Sequence, residues 1–173
     1  LVLGYVGRLM PEKNLRLLPA VAAALRAAGI ERFRFQITGS GSERVWLERN
    51  LTCAHFTGVL TGEALACAYA NCDIFLFPSR TDTFGNVVQE ALASGVPAVV
   101  MNEGGPRFIV RHGVSGIVAE GDDQFCRGVA ALAANDRLRS QMGRAGRLQV
   151  EFQSWDRVFE EVYEGYGAAV GIA

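Results

Sequence analysis

The 173 residues make room for one domain with a short appendage; half are hydrophobic and a fifth charged. A net charge of −1, with acids and bases mixed along the chain, excludes a non-specific nucleic-acid binder. No uncharged apolar run reaches the ~18 residues of a membrane span, and the N-terminus lacks a basic signal region. Val2 to Val6 predict a first strand ending at Gly7, an opening that leads us to expect further sequence upstream. Arg8 to Asn14 then form a loop into a helix whose apolar stripe is Leu15, Leu18, Ala22 and Leu25, with Asn14 as the expected N-cap. Two cations of this loop, Arg8 and Lys13, lie beyond the carboxyl end of a parallel strand, where open α/β sheets bind ligands. Arg8 could grip a diphosphate with its fork and Lys13 as a point charge. A solvated basic loop is the alternative.

Phe33 to Thr38 predict the second strand, and Gly39-Ser-Gly41 the turn after it. Arg44 stands where a dinucleotide fingerprint needs its third glycine, which weakens an NAD reading. The turn still lets backbone approach a nucleotide closely, although tight-turn duty alone would also explain Gly39 and Gly41. Ala54 to Thr57 form a short strand, and Thr61 fits the N-cap of a helix packing Leu65, Ala68 and Tyr69 inward. Ile74 to Phe77 are the continuous apolar run of a strand covered on both faces. Pro78 stops it. A polar loop follows, then a helix opened by Gly85 and Asn86, with Val87, Val88, Ala91 and Leu92 at helical spacing and Gly95 and Pro97 at its end.

Asp82 and Glu90 flank the start of this helix, where free N–H groups and the positive dipole end favour anions. A phosphate-bearing, polyhydroxylated ligand suits that geometry: N–H groups meet phosphate, carboxylates meet sugar hydroxyls. A capping acid and a solvated helix Glu would fit the same spacing. Beyond the buried strand up to Val100, Gly104-Gly105-Pro106 is a turn that could bring backbone to a sugar. Ile109 to His112 suggest one helical turn, with lone His112 a helix C-terminal residue, and Gly116 to Ala119 suggest the last strand. Asp122 or Asp123 is expected to cap a helix over Gln124 to Ala134. Arg137, Arg139, Arg144 and Arg147 fall on the solvated face of a helix from Asn135 to Phe152. Ser154 opens a final helix with Trp155, Val158, Phe159, Val162, Tyr163 and Tyr166 on one side. Cys53, Cys67, Cys72 and Cys126 lack metal-ligand spacing and read as small buried thiols of a reducing cytoplasm.

Six strand signals alternating with helices predict an α/β fold with a parallel sheet sandwiched by helices. T-D-T-F-G-N-V-V-Q-E, followed by A-L-A-S-G-V-P-A-V-V, resembles the E-x7-E motif of retaining glycosyltransferases of family 4. G-R-L-x-P-E-K at residues 7–13 resembles the diphosphate-binding loop of the same family. The resemblance covers almost the whole chain and implies one Rossmann-like half of a GT-B enzyme, the half that binds the donor. On that basis residues 1–153 are the nucleotide-sugar-binding domain, and residues 154–173 are a crossover helix packing toward an N-terminal acceptor-binding domain. Arg8, Lys13 and Asp82 are the implied catalytic residues. Gly7, Gly39, Gly41, Val59, Leu60, Phe84, Gly85, Asn86, Val87 and Glu90 are the implied donor-binding residues. Asp82 takes the place of the family's usual Glu, one methylene shorter, and would meet sugar hydroxyls; Glu90 would meet the ribose.

Arg107 follows the glycine pair where the family more commonly has Glu. No cofactor or metal is implied, since the nucleoside diphosphate sugar is a substrate. The implied partners are that donor and the acceptor-binding domain, with no nucleic acid; the resemblance allows peripheral membrane association of a cytoplasmic full-length enzyme. T-D-T-F-G-N-V-V with G-G-P-R-F looks most like the GDP-mannose-using α-mannosyltransferases. A nucleotide-sugar-binding module without chemistry of its own, or half of a GT-B sugar-nucleotide epimerase, are the alternatives.

Overall fold

The computed structural model describes residues 1–151, so the expected final helix and its boundary at 153/154 lie outside the described residues. Six strands form one parallel sheet: β1 (Val2–Val6), β2 (Arg34–Thr38), β3 (Ala54–Gly58), β4 (Ile74–Phe77), β5 (Ala98–Met101) and β6 (Gly116–Ala119), in the order β3-β2-β1-β4-β5-β6. All six strand expectations are met. The helices are α1 (Leu18–Ala27), α2 (Arg44–Asn50), α3 (Gly62–Ala70), α4 (Asn86–Ala93), α5 (Pro106–Ile109), α6 (Gly121–Ala133) and α7 (Asp136–Glu151). The architecture is the Rossmann-like sandwich expected from the alternation.

Strand periodicity divides the core between the two faces of the sheet. Ile74 and Leu76 of β4, with Val99 and Met101 of β5, join a cluster that includes Leu18, Val21 and Leu25 of α1 and Phe125 and Val129 of α6. Their neighbours Phe75, Phe77, Ala98 and Val100 join Tyr69 of α3 with Val88, Ala91 and Leu92 of α4 on the other face. Each residue of β4 and β5 is buried, which is why these strands read as unbroken apolar runs. The chain moves outward from β1 to β2 and β3, then returns past β1 to β4. The helices α1 and α4 that follow β1 and β4 therefore pack on opposite faces of the sheet, and the loops leading to them border a crevice at the carboxyl edge.

Several local expectations are corrected. Asn14 is not the N-cap of α1: it lies between two 3-10 turns, Pro11–Lys13 and Leu15–Leu17, with φ 55°, and its side chain caps neither. Asn tolerates this left-handed backbone better than most residues. Its Nδ2 instead donates to the Pro78 carbonyl, 3.3 Å away, across to the loop after β4. Thr61 occupies the N-cap position of α3 without a side-chain cap bond. The helical turn near His112 lies earlier, at α5, and the Val118 N–H meets His112 Nδ1 at 3.1 Å. Asp122 and Asp123 sit inside the first turn of α6, whose N-cap is Glu120. Cys67 is exposed rather than buried, whereas burial, with Asp73 nearby, pushes the Cys72 thiol up to about 12.

Arg139 departs from the solvated face assigned to it. Its Nη1 donates to the Leu132 and Ala133 carbonyls, at 2.8 and 2.9 Å, satisfying the C-terminal end of α6. Arg139→Ala is expected to lower stability by about 1–2 kcal/mol, because those carbonyls lose a charged donor. Arg144, bonded to Ser140 on the same helix, is the control, and Arg144→Ala should change stability by less than about 0.5 kcal/mol. Thermal unfolding of the two variants checks the contrast.

Candidate functional site

The loop after β1 is built on two close backbone approaches. The Gly7 N–H donates to the Thr38 carbonyl at 3.0 Å and the Leu9 N–H to the Ser40 carbonyl at 2.8 Å. A Cβ on Gly39 would lie 1.9 Å from the Gly7 carbonyl oxygen, and one on Gly41 2.2 Å from that of Leu9. Both glycines thus let the turn after β2 lie flat against the cation loop. Glu43 completes this support. Its N–H donates to the Leu9 carbonyl, and its buried carboxylate accepts from Arg16 Nε at 2.7 Å and Nη2 at 3.2 Å. The hydrogen bond from Arg16 holds the Glu43 carboxyl below its ordinary range.

The loop after β4 comes to meet this one. Asn14 reaches Pro78, and the Ser79 hydroxyl donates to the Glu12 carbonyl at 3.4 Å. Lys13, only 8% exposed, places Nζ 2.5 Å from Asp82 Oδ1. The other oxygen, Asp82 Oδ2, is buried and has no hydrogen-bond partner among the described residues. Arg8 projects from the same loop with its side chain 73% exposed, 3.5 Å from Glu12. Its carbonyl accepts from the Tyr5 hydroxyl at 2.9 Å. Burial, with Asp82 and Glu12 nearby, pushes the Tyr5 phenol far above its ordinary range, so it remains a donor.

Outer supports fix the Asp82 loop from the opposite side. The Gly105 N–H donates to the Asp82 carbonyl at 2.8 Å, and a Cβ on Gly105 would lie 2.0 Å from the Thr83 carbonyl oxygen. The glycine pair thus buttresses the loop backbone. Arg80 reaches Glu103 at 2.5 Å and Asp122 at 2.8 Å, joining this loop to the one after β5 and to the start of α6. Gly85 is the N-cap of α4, at φ 109°, and no side chain caps the helix. Asn86 and Val87, the first residues of α4, border the cleft, and N–H groups of a helix's first turn have no intrahelical partner.

These loops enclose a cleft of about 290 Å3 at the point where the strand order reverses. Its lining brings together Gly7, Arg8, Lys13, Asp82, Phe84, Gly85, Asn86 and Val87 from the residues singled out in the sequence. Tyr5, Val6, Phe77 and Thr83 also line it and were missed; Tyr5 offered only its inward parity with Leu3 on a buried strand. Gly39 and Gly41 stand behind the cation loop and are not part of the lining. Val59, 67% exposed, and Leu60 lie beyond β3, and Glu90 lies along α4 toward α3. There the Tyr69 hydroxyl donates to Glu90 Oε2 at 2.6 Å. Burial, reinforced by Glu90, pushes the Tyr69 phenol far above its ordinary range and keeps it a donor.

Two cations and a set of uncapped helix donors converging on one crevice suit a bound anion. Residues 1–135 match the family model described as Glycosyl transferases group 1. The chain belongs to that family. A GDP-mannose-dependent alpha-mannosyltransferase of Mycolicibacterium smegmatis is 38% identical over 98% of the chain and 44% of its own length. This glycosyltransferase-family chain thus spans less than half the length of the curated relatives it matches. The pneumococcal O-GlcNAc transferase GtfA, solved with UDP and GlcNAc, shares the fold at a TM-score of 0.79 and 21% identity. That match covers 98% of this chain and 36% of that one. The C-terminal domain of a glycosyl transferase group 1 protein from Francisella tularensis has a TM-score of 0.75 at 18% identity, over 88% of this chain and 85% of its own. Among the described residues, no helix is long and apolar enough to cross a membrane, and no group of three or more His, Cys, Asp or Glu could hold a metal ion.

Proposed function

We propose that the chain is the donor-binding, C-terminal half of a retaining glycosyltransferase, with GDP-mannose as donor. One observation carries this reading: Arg8, Lys13 and the uncapped start of α4 converge on a single cleft at the strand-order reversal. The likeness to a solved C-terminal domain over 85% of that domain supports the assignment to this half. The GDP-mannose dependence named for the 38% identical relative supports the choice of donor.

In this reading the diphosphate lies between the α4 N-terminus and the two cations. Arg8 approaches from the exposed side and Lys13 from below. As the bond from the anomeric carbon to the diphosphate breaks, negative charge grows on the leaving oxygen. Arg8, Lys13 and the start of α4 at Asn86 and Val87 line the cleft where that charge grows and stabilise it, Lys13 turning to the diphosphate from Asp82. Asp82 Oδ2 accepts a sugar hydroxyl, Glu90 serves the ribose, and the acceptor comes from the other half of the protein.

Calorimetry with GDP, UDP and ADP tests this reading. The chain alone should bind a nucleoside diphosphate weakly, GDP in preference to the others, and should transfer no sugar. Robust transfer by the chain alone, or equal indifference to all three nucleotides, would overturn it.

A further inference from the structure

We propose that Asp82 is an internal competitor of the diphosphate for Lys13, and that this competition makes the cleft favour a sugar-bearing donor over bare nucleoside diphosphate. The inference rests on the diphosphate role proposed for Lys13, and it assigns Asp82 a task beyond holding a sugar. Lys13 Nζ lies 2.5 Å from Asp82 Oδ1, so the cation is already engaged. Only 11% of the Lys13 side chain and 23% of that of Asp82 are exposed, so water screens the pair weakly. Asp82 Oδ2, buried and without a hydrogen-bond partner among the described residues, keeps an unmet demand for a hydrogen-bond donor.

The two kinds of ligand meet this arrangement differently. A bare diphosphate brings negative charge toward a carboxylate and must draw Lys13 away from it. It offers Asp82 Oδ2 nothing in return. A sugar-bearing diphosphate draws on Lys13 in the same way, but its hydroxyls donate to the carboxylate that Lys13 leaves under-neutralised. Asp82 thus penalises the ligand that remains after transfer relative to the one that enters, and it speeds clearance of the spent diphosphate. The backbone supports hold the geometry in place: Gly105 N–H on the Asp82 carbonyl and Asn14 Nδ2 on that of Pro78 keep the two loops at this separation.

Calorimetry of the 173-residue chain with GDP and with GDP-mannose, on wild type, Asp82→Asn and Asp82→Ala, reads this directly. Both variants should bind GDP about tenfold more tightly, the scale of one charge-assisted hydrogen bond released, and should bind GDP-mannose no more tightly than wild type. In a Lys13→Met background the gain for GDP should vanish, because the competition runs through Lys13. Unchanged or weakened GDP binding in both variants would overturn the proposal, as would a gain that survives Lys13→Met. Wild-type binding of GDP-mannose tests the donor reading separately. If wild type binds and the variants show no gain, only the competition is wrong; if neither wild type nor variants bind either ligand, both are wrong.

Discussion

Lys13→Ala should cost diphosphate affinity and fold stability together, whereas Arg8→Ala should cost affinity alone. Lys13 is 8% exposed and bonded to Asp82, whose second oxygen has no partner among the described residues. Removing the ammonium leaves a largely buried carboxylate with neither oxygen satisfied. The expected loss is about 1–3 kcal/mol of stability, below that of a fully buried pair because Asp82 retains some exposure. Diphosphate affinity should fall by about 1.5–3 kcal/mol in addition. Arg8 has its side chain 73% exposed and a 3.5 Å contact with Glu12, a pairing that contributes little to folding. Thermal unfolding and GDP calorimetry on the two variants separate the cases. A Lys13→Ala chain that unfolds at the wild-type temperature would show that the Lys13–Asp82 pair contributes nothing to the fold.

Gly39→Ala should be among the most damaging single changes in the chain. The new Cβ would meet the Gly7 carbonyl oxygen at 1.9 Å, and Gly39 has φ 135°, a conformation that side chains rarely adopt. The atom it meets belongs to backbone, so no rotamer change relieves the clash. Strain and overpacking together should cost about 3–5 kcal/mol. Any relaxation pushes the Gly7–Arg8 segment away from β2, so the diphosphate site should suffer beyond the loss of stability. Gly62→Ala is the comparison. It also has positive φ, at 55°, but its Cβ would meet nothing within 4 Å. That change should cost only the left-handed backbone penalty, about 1–2 kcal/mol. Equal losses for the two variants would mean that the close approach at Gly39 is unimportant.

The contrast between these glycines shows how far the sequence could be read. The sheet was legible because β4 and β5 are buried on both faces and appear as unbroken apolar runs. The cation loop and the start of α4 were legible because residue type and local spacing carry them. What escaped depends on contacts between distant segments. The close approach of Gly39 to Gly7 involves residues 32 apart in the chain, and nothing local distinguishes it from an ordinary tight turn. Glu43 reads as a surface acid until Arg16 closes on it, and Arg139 reads as a surface base until α7 folds back on the end of α6. Asn14 looks like a helix cap because Asn commonly is one, yet the 3-10 turns on either side send its side chain to Pro78 instead. Asp82 and Glu90 were read as serving one ligand. The structure sets Asp82 in the lining of the cleft and Glu90 outside it, accepting from the Tyr69 hydroxyl.

The central claim is that a nucleoside diphosphate sugar binds where the loops after β1 and β4 part. Titrating the isotope-labelled 18.7 kDa chain with GDP-mannose, and following its backbone amides by NMR, tests this directly. The largest shifts should cluster at Gly7 to Lys13 and at Asp82 to Val87, with smaller ones at Gly39 and Gly41 through their contact with the cation loop. An unchanged spectrum, or shifts confined to the far edge around β6, would contradict it.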